Sequence, residues 1–360
     1  MNAPEKIGST LEAGVLSEVG HMLDDGLLVA DESGIVLSAN GAAVRFLGEG
    51  LVGKRLVDIF TSHEVGDVVA GRDSACELTH FSQISVAMEF NVRIRRMDDG
   101  LIMALLLDMT LQRNLEKVRR DFVANVSHEL RSPLTSLAGF IETILVNDVR
   151  DWPTQQRFLR IMEEEAGRMS RLIDDLLSLS RVEVDEHIVP DQKVPLLEVV
   201  KSVIASLETR AAQRQMRINL TDSRPDSANR PVMMGYSDEI NEVFHNLIEN
   251  AIKYGFEKTE IKVEIVAQGT SLVVISVINR GESIAEKHLH RLTERFYRVD
   301  KARSRQIGGT GLGLAIVKHI VNRHRGTMQV TSSAEGETKF TVCLPVIAEK
   351  HGIGGDVTKL

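Results

Sequence analysis

The sequence predicts a multidomain α+β chain: a small α+β domain, then an antiparallel helical hairpin, then a two-layer α/β sandwich. Three observations carry this. Ile84, Val86, Met88, Phe90, Val92 and Ile94 alternate with small or polar residues, the period of a half-buried strand. From about residue 111 to 183 the apolar spacing becomes helical and settles into a heptad seam. Residues 196–346 then mix helical and strand patterns, as layers of helix and sheet require.

The elements follow in order. Residues 1–18 read as a loose lead-in and 19–110 as the small domain. Inside it, the apolar runs Leu27–Ala30 and Ile35–Leu37 are split by the turn signal Asp31-Glu32-Ser33-Gly34. Asp98-Asp99-Gly100 turns the alternating strand into Leu101–Leu107, expected to be a buried strand of an antiparallel sheet. Residues 111–184 form the hairpin. Asp151-Trp152-Pro153 separates its helices, and Pro153 suits the first turn of the second. There Phe158, Met162, Met169, Leu172, Leu176 and Leu179 make the seam, with Glu165 at one core-type position. One hairpin buries only part of such a face, so a second copy is expected to complete a dimeric four-helix bundle. Residues 185–195, with Pro190 and Pro195, read as a linker. Residues 196–347 hold helices near 196–214 and 238–254 and strands near 260–266, 271–278, 327–332 and 339–345. Glu335-Gly336-Glu337 turns the last hairpin. The Gly- and charge-rich stretch 348–360 is expected to be a mobile tail.

Bulk properties narrow the function. Net charge is −8 over 360 residues, which disfavours non-specific binding to nucleic acid. Two cysteines, Cys76 and Cys343, are too few for a disulfide framework and are expected to be buried thiols in a reducing compartment. No His/Cys spacing suggests zinc. No apolar run reaches the ~20 residues that span a bilayer. The basic start and apolar core of a signal peptide are also missing. A soluble, cytoplasmic protein without a membrane span is expected.

Two regions carry chemistry. On a helical wheel of residues 121–144, Phe122, Val126, Leu130, Leu134, Leu137, Ile141 and Ile144 gather on one side. His128 points the opposite way, with Ser132 and Thr135 near it. A histidine turned from the core is not there for packing, and imidazole is a competent nucleophile near neutral pH. Further on, DEINEVFHNLIENAIKY places Asn246, Asn250 and Lys253 on one face beside its apolar face. Two amides and an amine suit a triphosphate and Mg2+, with Asn250 as an oxygen ligand of the metal. GGTGLGLAI, residues 308–316, supplies Gly309, Thr310, Gly311, Leu312 and Gly313 at the start of an apolar helix, where backbone N–H groups can approach phosphates. Glu294-Arg295-Phe296-Tyr297-Arg298 before it could fold over a nucleotide as a lid.

SHELRSPLTSL, HNLIENAIKY, ERFYRVDKA and GGTGLGLAI, in that order, resemble the phospho-acceptor, N, F and second glycine boxes of the sensor histidine kinases of two-component systems. The resemblance covers about residues 111–346. RRDFVANVSHELRSPLTSLAGF is closest to phosphate-regulon-type kinases. DGLLVADESGIVLSANGAAVRFLG is similar to the opening of a PAS sensor domain.

The resemblance implies that His128 takes the γ-phosphoryl group of ATP from a GHKL-type ATPase domain and passes it to an aspartate in the receiver domain of a response regulator. It implies Glu129 as general base and Ser132 as the residue that positions water for dephosphorylation. It adds Tyr254, Asn279, Gly281 and Arg298 to the nucleotide site. Pro133 is expected to let the upper helix bend. The family's first glycine box usually reads Asp-x-Gly-x-Gly; here it is Asn279-Arg280-Gly281-Glu282-Ser283. Asn279 lacks the carboxylate charge, and Ser283 is expected to narrow the backbone. Those two departures also fit a degenerate kinase acting as phosphatase or scaffold. A gyrase- or Hsp90-like hydrolase, which shares the nucleotide fold, needs a helix carboxylate where Asn246 stands, and an amide is a poor base. His245, His288 and His290 are expected to be partly exposed structural residues.

Overall fold

The computed structural model describes residues 23–81, 88–146, 151–224, 231–300 and 309–347. They form two compact units, one up to Ala124 and one from Asn125. The lead-in, the tail from Ala348, and Ile84 and Val86 of the alternating run lie outside the described residues.

The first unit is built on a five-stranded antiparallel sheet. Its strands are β1 Gly26–Ala30, β2 Val36–Ala39, β3 Ala75–Phe81, β4 Glu89–Arg96 and β5 Ile102–Asp108, in the order β2-β1-β5-β4-β3. Helices α1 Gly41–Leu47, α2 Leu56–Ile59 and α3 His63–Val69 come between β2 and β3. Phe90, Val92 and Ile94 are buried, as their period-2 spacing predicts. The 101–107 strand is not buried throughout. Ile102, Ala104 and Leu106 are buried, while Met103, Leu105 and Leu107 are half-buried on the other face. Asn40 joins the sheet to α1: its side-chain oxygen accepts from Leu27 N at 2.9 Å and caps the helix at Ala43 N, 2.8 Å.

Helix α4, Thr110–Val146, and helix α5, Trp152–Val184, form the hairpin. Asp151 caps α5 through its side chain and Pro153 sits in the first turn, as expected. Within the second unit the Phe140 and Phe158 rings lie 5.2 Å apart, and Arg168 reaches Glu129 at 3.0 Å. Both pairs sum to nearly the same number, which is the register of antiparallel helices. Helix α4 runs through a buried Pro133 without ending. Leu134 and Ile141, on the apolar side, stay 58% and 45% exposed, so one hairpin leaves part of its stripe uncovered.

The remainder is the sandwich. Strands β7 Arg217–Asp222, β9 Glu260–Gln268, β10 Leu272–Arg280, β11 Thr327–Ser332 and β12 Glu337–Pro345 form a sheet in the order β11-β12-β10-β9-β7. Only the β7–β9 pair is parallel. Helices α6 Leu196–Gln213, α7 Ser237–Tyr254 and α9 Gly313–Arg323 make the other layer; α8, Glu286–Leu289, is a single turn. Phe244, Leu247, Ile248 and Ala251 on α7 are fully buried, as are Val263 and Val277 on the sheet. Truncating Phe244 to alanine would remove about 3–5 kcal/mol.

The linker reading of 185–195 is partly corrected. Gln192–Pro195 is strand β6, paired antiparallel with β8, Val232–Gly235. Its four residues alternate too briefly to be distinguished from a loop. Strands β7 and β8 are also additions to the sequence reading. Cys76 and Cys343 are free and only half-buried.

Candidate nucleotide cleft and phospho-acceptor helix

Helix α7 presents two rows that matter here. Its apolar row fills the sandwich core, and the adjoining row, Asn246, Asn250 and Lys253, lines a cleft of about 420 Å³. Gly309, Thr310, Gly311 and Gly313 line the facing wall at the start of α9, and Arg298 of the lid segment lies beside them. Asn279 at the end of β10 and Tyr254 at the end of α7 complete the set. Leu312 and Gly281 are buried beside it, and Gly281 N–H donates to the Gly336 carbonyl at 2.8 Å. The predicted nucleotide residues therefore converge on one cavity or its immediate frame.

The glycines are held by close approaches. Gly311 has φ +77°, and its carbonyl accepts from Phe296 N at 2.8 Å, fixing the lid to the glycine loop. At Gly313 an added Cβ would sit 2.5 Å from Asn246 Oδ1. Asn246 Nδ2 donates to the Glu242 carbonyl at 3.0 Å, so its oxygen is left facing the head of α9. An amide acceptor and a helix N-terminus thus meet at one end of the cleft.

Charge in the cleft is largely committed. Lys253 Nζ pairs with Glu249 at 2.7 Å, so its charge is shared with a carboxylate of the same helix. Burial raises the Glu249 carboxyl, but the Lys253 hydrogen bond and the Lys253 and Arg210 charges outweigh it and hold it low. Glu242 accepts from Ser178 Oγ at 2.7 and 2.8 Å, and burial pushes its carboxyl up. Among the described residues no cluster of three His, Cys, Asp or Glu could hold a metal.

The hairpin closes over this cleft. Asp175 of α5 lines it and accepts from Thr310 Oγ1 at 2.6 Å; burial raises its carboxyl, and the Thr310 hydrogen bond only partly offsets this. Arg295 of the lid pairs with Glu183. Asp175, Ser178 and Glu242 were not singled out from sequence, because nothing in a helical seam tells which residues meet another layer.

His128 is exposed on α4, as its wheel position predicts, and Ser132 is exposed one turn on. Glu129 is half-buried. Its Oε2 lies 3.0 Å from Arg168 of α5 and 3.5 Å from Arg298 of the lid. Arg298 also donates to the Gly309 carbonyl. One carboxylate next to His128 thus joins the second helix, the lid and the glycine loop. Ser283 is not among the residues with positive φ, so the expected backbone restriction does not arise. His245 and His288 are half-buried and His290 exposed; His288 Nδ1 meets Tyr297 Oη at 2.5 Å.

Comparison with known proteins agrees with this geometry. Residues 118–184 match the His Kinase A (phospho-acceptor) domain, and residues 235–348 match the histidine kinase-, DNA gyrase B- and HSP90-like ATPase. The phosphate regulon sensor protein PhoR of Pseudomonas aeruginosa is 41% identical over 239 residues, 66% of this chain and 52% of its own length. The sensor histidine kinase WalK of Bacillus subtilis is 31% identical over 93% of this chain and 56% of its own. A Staphylococcus aureus sensor protein kinase WalK is 30% identical over 91% of this chain and 80% of its own. The chain spans about half the length of the first two relatives. The solved structure of histidine kinase ThkA in complex with response regulator protein TrrA shares the fold, with TM-score 0.51 and 21% identity over 91% of this chain and 97% of that one. With its cleft, its exposed histidine and relatives of this extent, the chain belongs to the sensor histidine kinases.

Proposed function

We propose that this chain is an ATP-dependent protein-histidine kinase that phosphorylates His128 and passes the phosphoryl group to an aspartate of a response regulator receiver domain. One observation carries the reading. The residue beside an exposed histidine is bound to the lid arginine of the nucleotide cleft.

In this reading the His128 imidazole attacks the γ-phosphorus, the bond to the β–γ bridging oxygen breaks, and ADP leaves. The ring proton passes to Glu129. Glu129 Oε2 is occupied by Arg168 and Arg298, which leaves Oε1 as the oxygen assigned to that task. Arg298 and the α9 N-terminus stabilise the phosphates, as do the loop N–H groups around Thr310. Asn250 fits Mg2+: it lines the cleft, whereas neighbouring Glu242 and Glu249 are engaged by Ser178 and by Lys253 and Arg210. The ion would neutralise phosphate charge. Ser132 is assigned the water-positioning role in regulator dephosphorylation.

The assembly is read as a homodimer through the uncovered Leu134–Ile141 stripe, with the 19–110 unit as a PAS-like sensor. The site of action is the cytoplasm, where ATP is. The degenerate-kinase alternative loses one support, because Ser283 takes ordinary backbone. Incubation with γ-labelled ATP tests the proposal. Label should appear on wild type and vanish in His128→Gln, whose nucleotide affinity stays within about twofold of wild type. Label that persists in the variant would move the acceptor elsewhere.

A further inference from the structure

We propose that Asn279 makes the cleft a reader of purine nucleoside triphosphates as a class, so that it accepts hypoxanthine and guanine nucleotides alongside ATP. This rests on the nucleotide-site reading above and concerns its base end. Among the described lining residues, two polar side chains are more than nine-tenths buried: Asn279 and Thr338, each 4% exposed. They are register partners across β10 and β12. Phe340, two residues beyond Thr338, shares that face of the strand, and Ile284 and Leu292 add apolar wall. This is the apolar end of the cleft; the Asn246–Gly313 end, at the head of α9, is the one read as holding the phosphates.

The Asn279 amide makes no hydrogen bond to any described residue, although the residue is almost wholly buried in the cleft wall. The amide lines the cleft, where the edge of a bound base can complete its hydrogen bonds. An amide offers a donor and an acceptor side by side and exchanges them by a half-turn. Adenine presents an amino donor next to the N1 acceptor. Hypoxanthine and guanine present the O6 acceptor next to the N1–H donor. One orientation of Asn279 pairs with each. The Thr338 hydroxyl, 3.2 Å from Ser332 Oγ, also donates or accepts by rotation. Neither group carries a charge that would favour the adenine amino group. A carboxylate at 279 could only accept, and would face the O6 lone pairs of hypoxanthine.

Competition against a fluorescent ATP analogue with Mg2+ tests this, using the full chain and Asn279→Asp. Inosine triphosphate is the clean probe, since it differs from ATP only at the six-position and N1; GTP adds the question of room for its 2-amino group. Wild type should bind inosine triphosphate within about tenfold of ATP. Asn279→Asp should widen that gap by at least about tenfold. A wild-type preference for ATP beyond about a hundredfold would overturn the inference. An unchanged ratio in a folded Asn279→Asp would do the same while leaving the kinase reading intact. Failure of every nucleotide, ATP included, to compete would overturn both.

Discussion

Gly313→Ala separates binding from stability. Gly313 opens α9 with ordinary negative φ, so alanine is sterically acceptable to its own backbone and favours the helix by up to about 0.5–1 kcal/mol. The obstacle is its neighbour. The new Cβ would lie 2.5 Å from Asn246 Oδ1 and 3.3 Å from Asn246 Cγ, closer than carbon and oxygen can approach. Asn246 must rotate and give up its 3.0 Å bond to the Glu242 carbonyl, a loss of about 1 kcal/mol. Folding is then nearly neutral. Binding is not expected to be, because the displaced Oδ1, an acceptor, would no longer receive a hydrogen bond from water held on a bound Mg2+. A charge-assisted hydrogen bond of that kind contributes roughly 1.5–3 kcal/mol, equivalent to about a 10- to 150-fold rise in the ATP Kd. The assay is nucleotide titration of wild type, Gly313→Ala, Asn246→Ala and the double variant, each with a thermal melt. If the clash acts through Asn246, the double variant binds no worse than Asn246→Ala. Strictly additive losses, or wild-type affinity in Gly313→Ala, would refute the reasoning.

Other perturbations probe separate parts. Asp175→Asn keeps the Thr310 contact through the amide oxygen but removes a buried carboxylate from a cleft that holds phosphates. ATP should bind roughly fivefold tighter or more, read by titration, and unchanged affinity would place Asp175 outside the phosphate field. Arg168→Ala releases one side of the Glu129 clamp without touching the cleft lining. Labelling of His128 should slow by about tenfold at unchanged nucleotide affinity, and a parallel loss of both would show a merely structural arginine. His324 is 2% exposed, accepts from Tyr236 N–H through Nε2 at 3.2 Å, and is held below the usual histidine range chiefly by burial, which outweighs its Ile320 bond. Its neutral form is the folded one. Its contribution is therefore full above the ordinary value near 6.5 and lost as pH falls below it. Melting temperature measured from pH 7.5 to 5 should fall less steeply in His324→Gln than in wild type; identical slopes would count against this.

The parts of the fold that could be read from sequence were those with long, strongly periodic patterns. Helix α7 spans Ser237–Tyr254 against a reading of 238–254, because its apolar row, Ile240 to Ile252, repeats over about three and a half turns. The Asp151 cap and Pro153 marked the start of α5 for reasons local to the chain. Strand β6 was missed because four residues, the last of them Pro195, carry no decisive period; its pairing with β8 is set by tertiary contact. The same division holds at the site. Asn246, Asn250 and the glycine loop announce themselves through residue type and spacing. Asp175 and Ser178 do not, since their role depends on which face of a helical seam another layer covers. The ion pair of Lys253 with Glu249 was open to prediction from their four-residue spacing.

The ATPase family matched here includes hydrolases as well as kinases, so the outcome for the terminal phosphate must be argued from residues. Hydrolysis needs a carboxylate free to deprotonate water beside the γ-phosphate. Helix α7 offers Glu242 and Glu249 to the cleft, one turn before Asn246 and just short of one turn after it. Glu242 has both oxygens on Ser178 of the hairpin, and Glu249 is held by Lys253 and Arg210. Asn246, between them, is an amide and accepts no proton at neutral pH. Neither carboxylate that α7 brings to the cleft is therefore free to activate water. The imidazole of His128 is nucleophilic and exposed, and its neighbour Glu129 is tied to the lid over that same cleft.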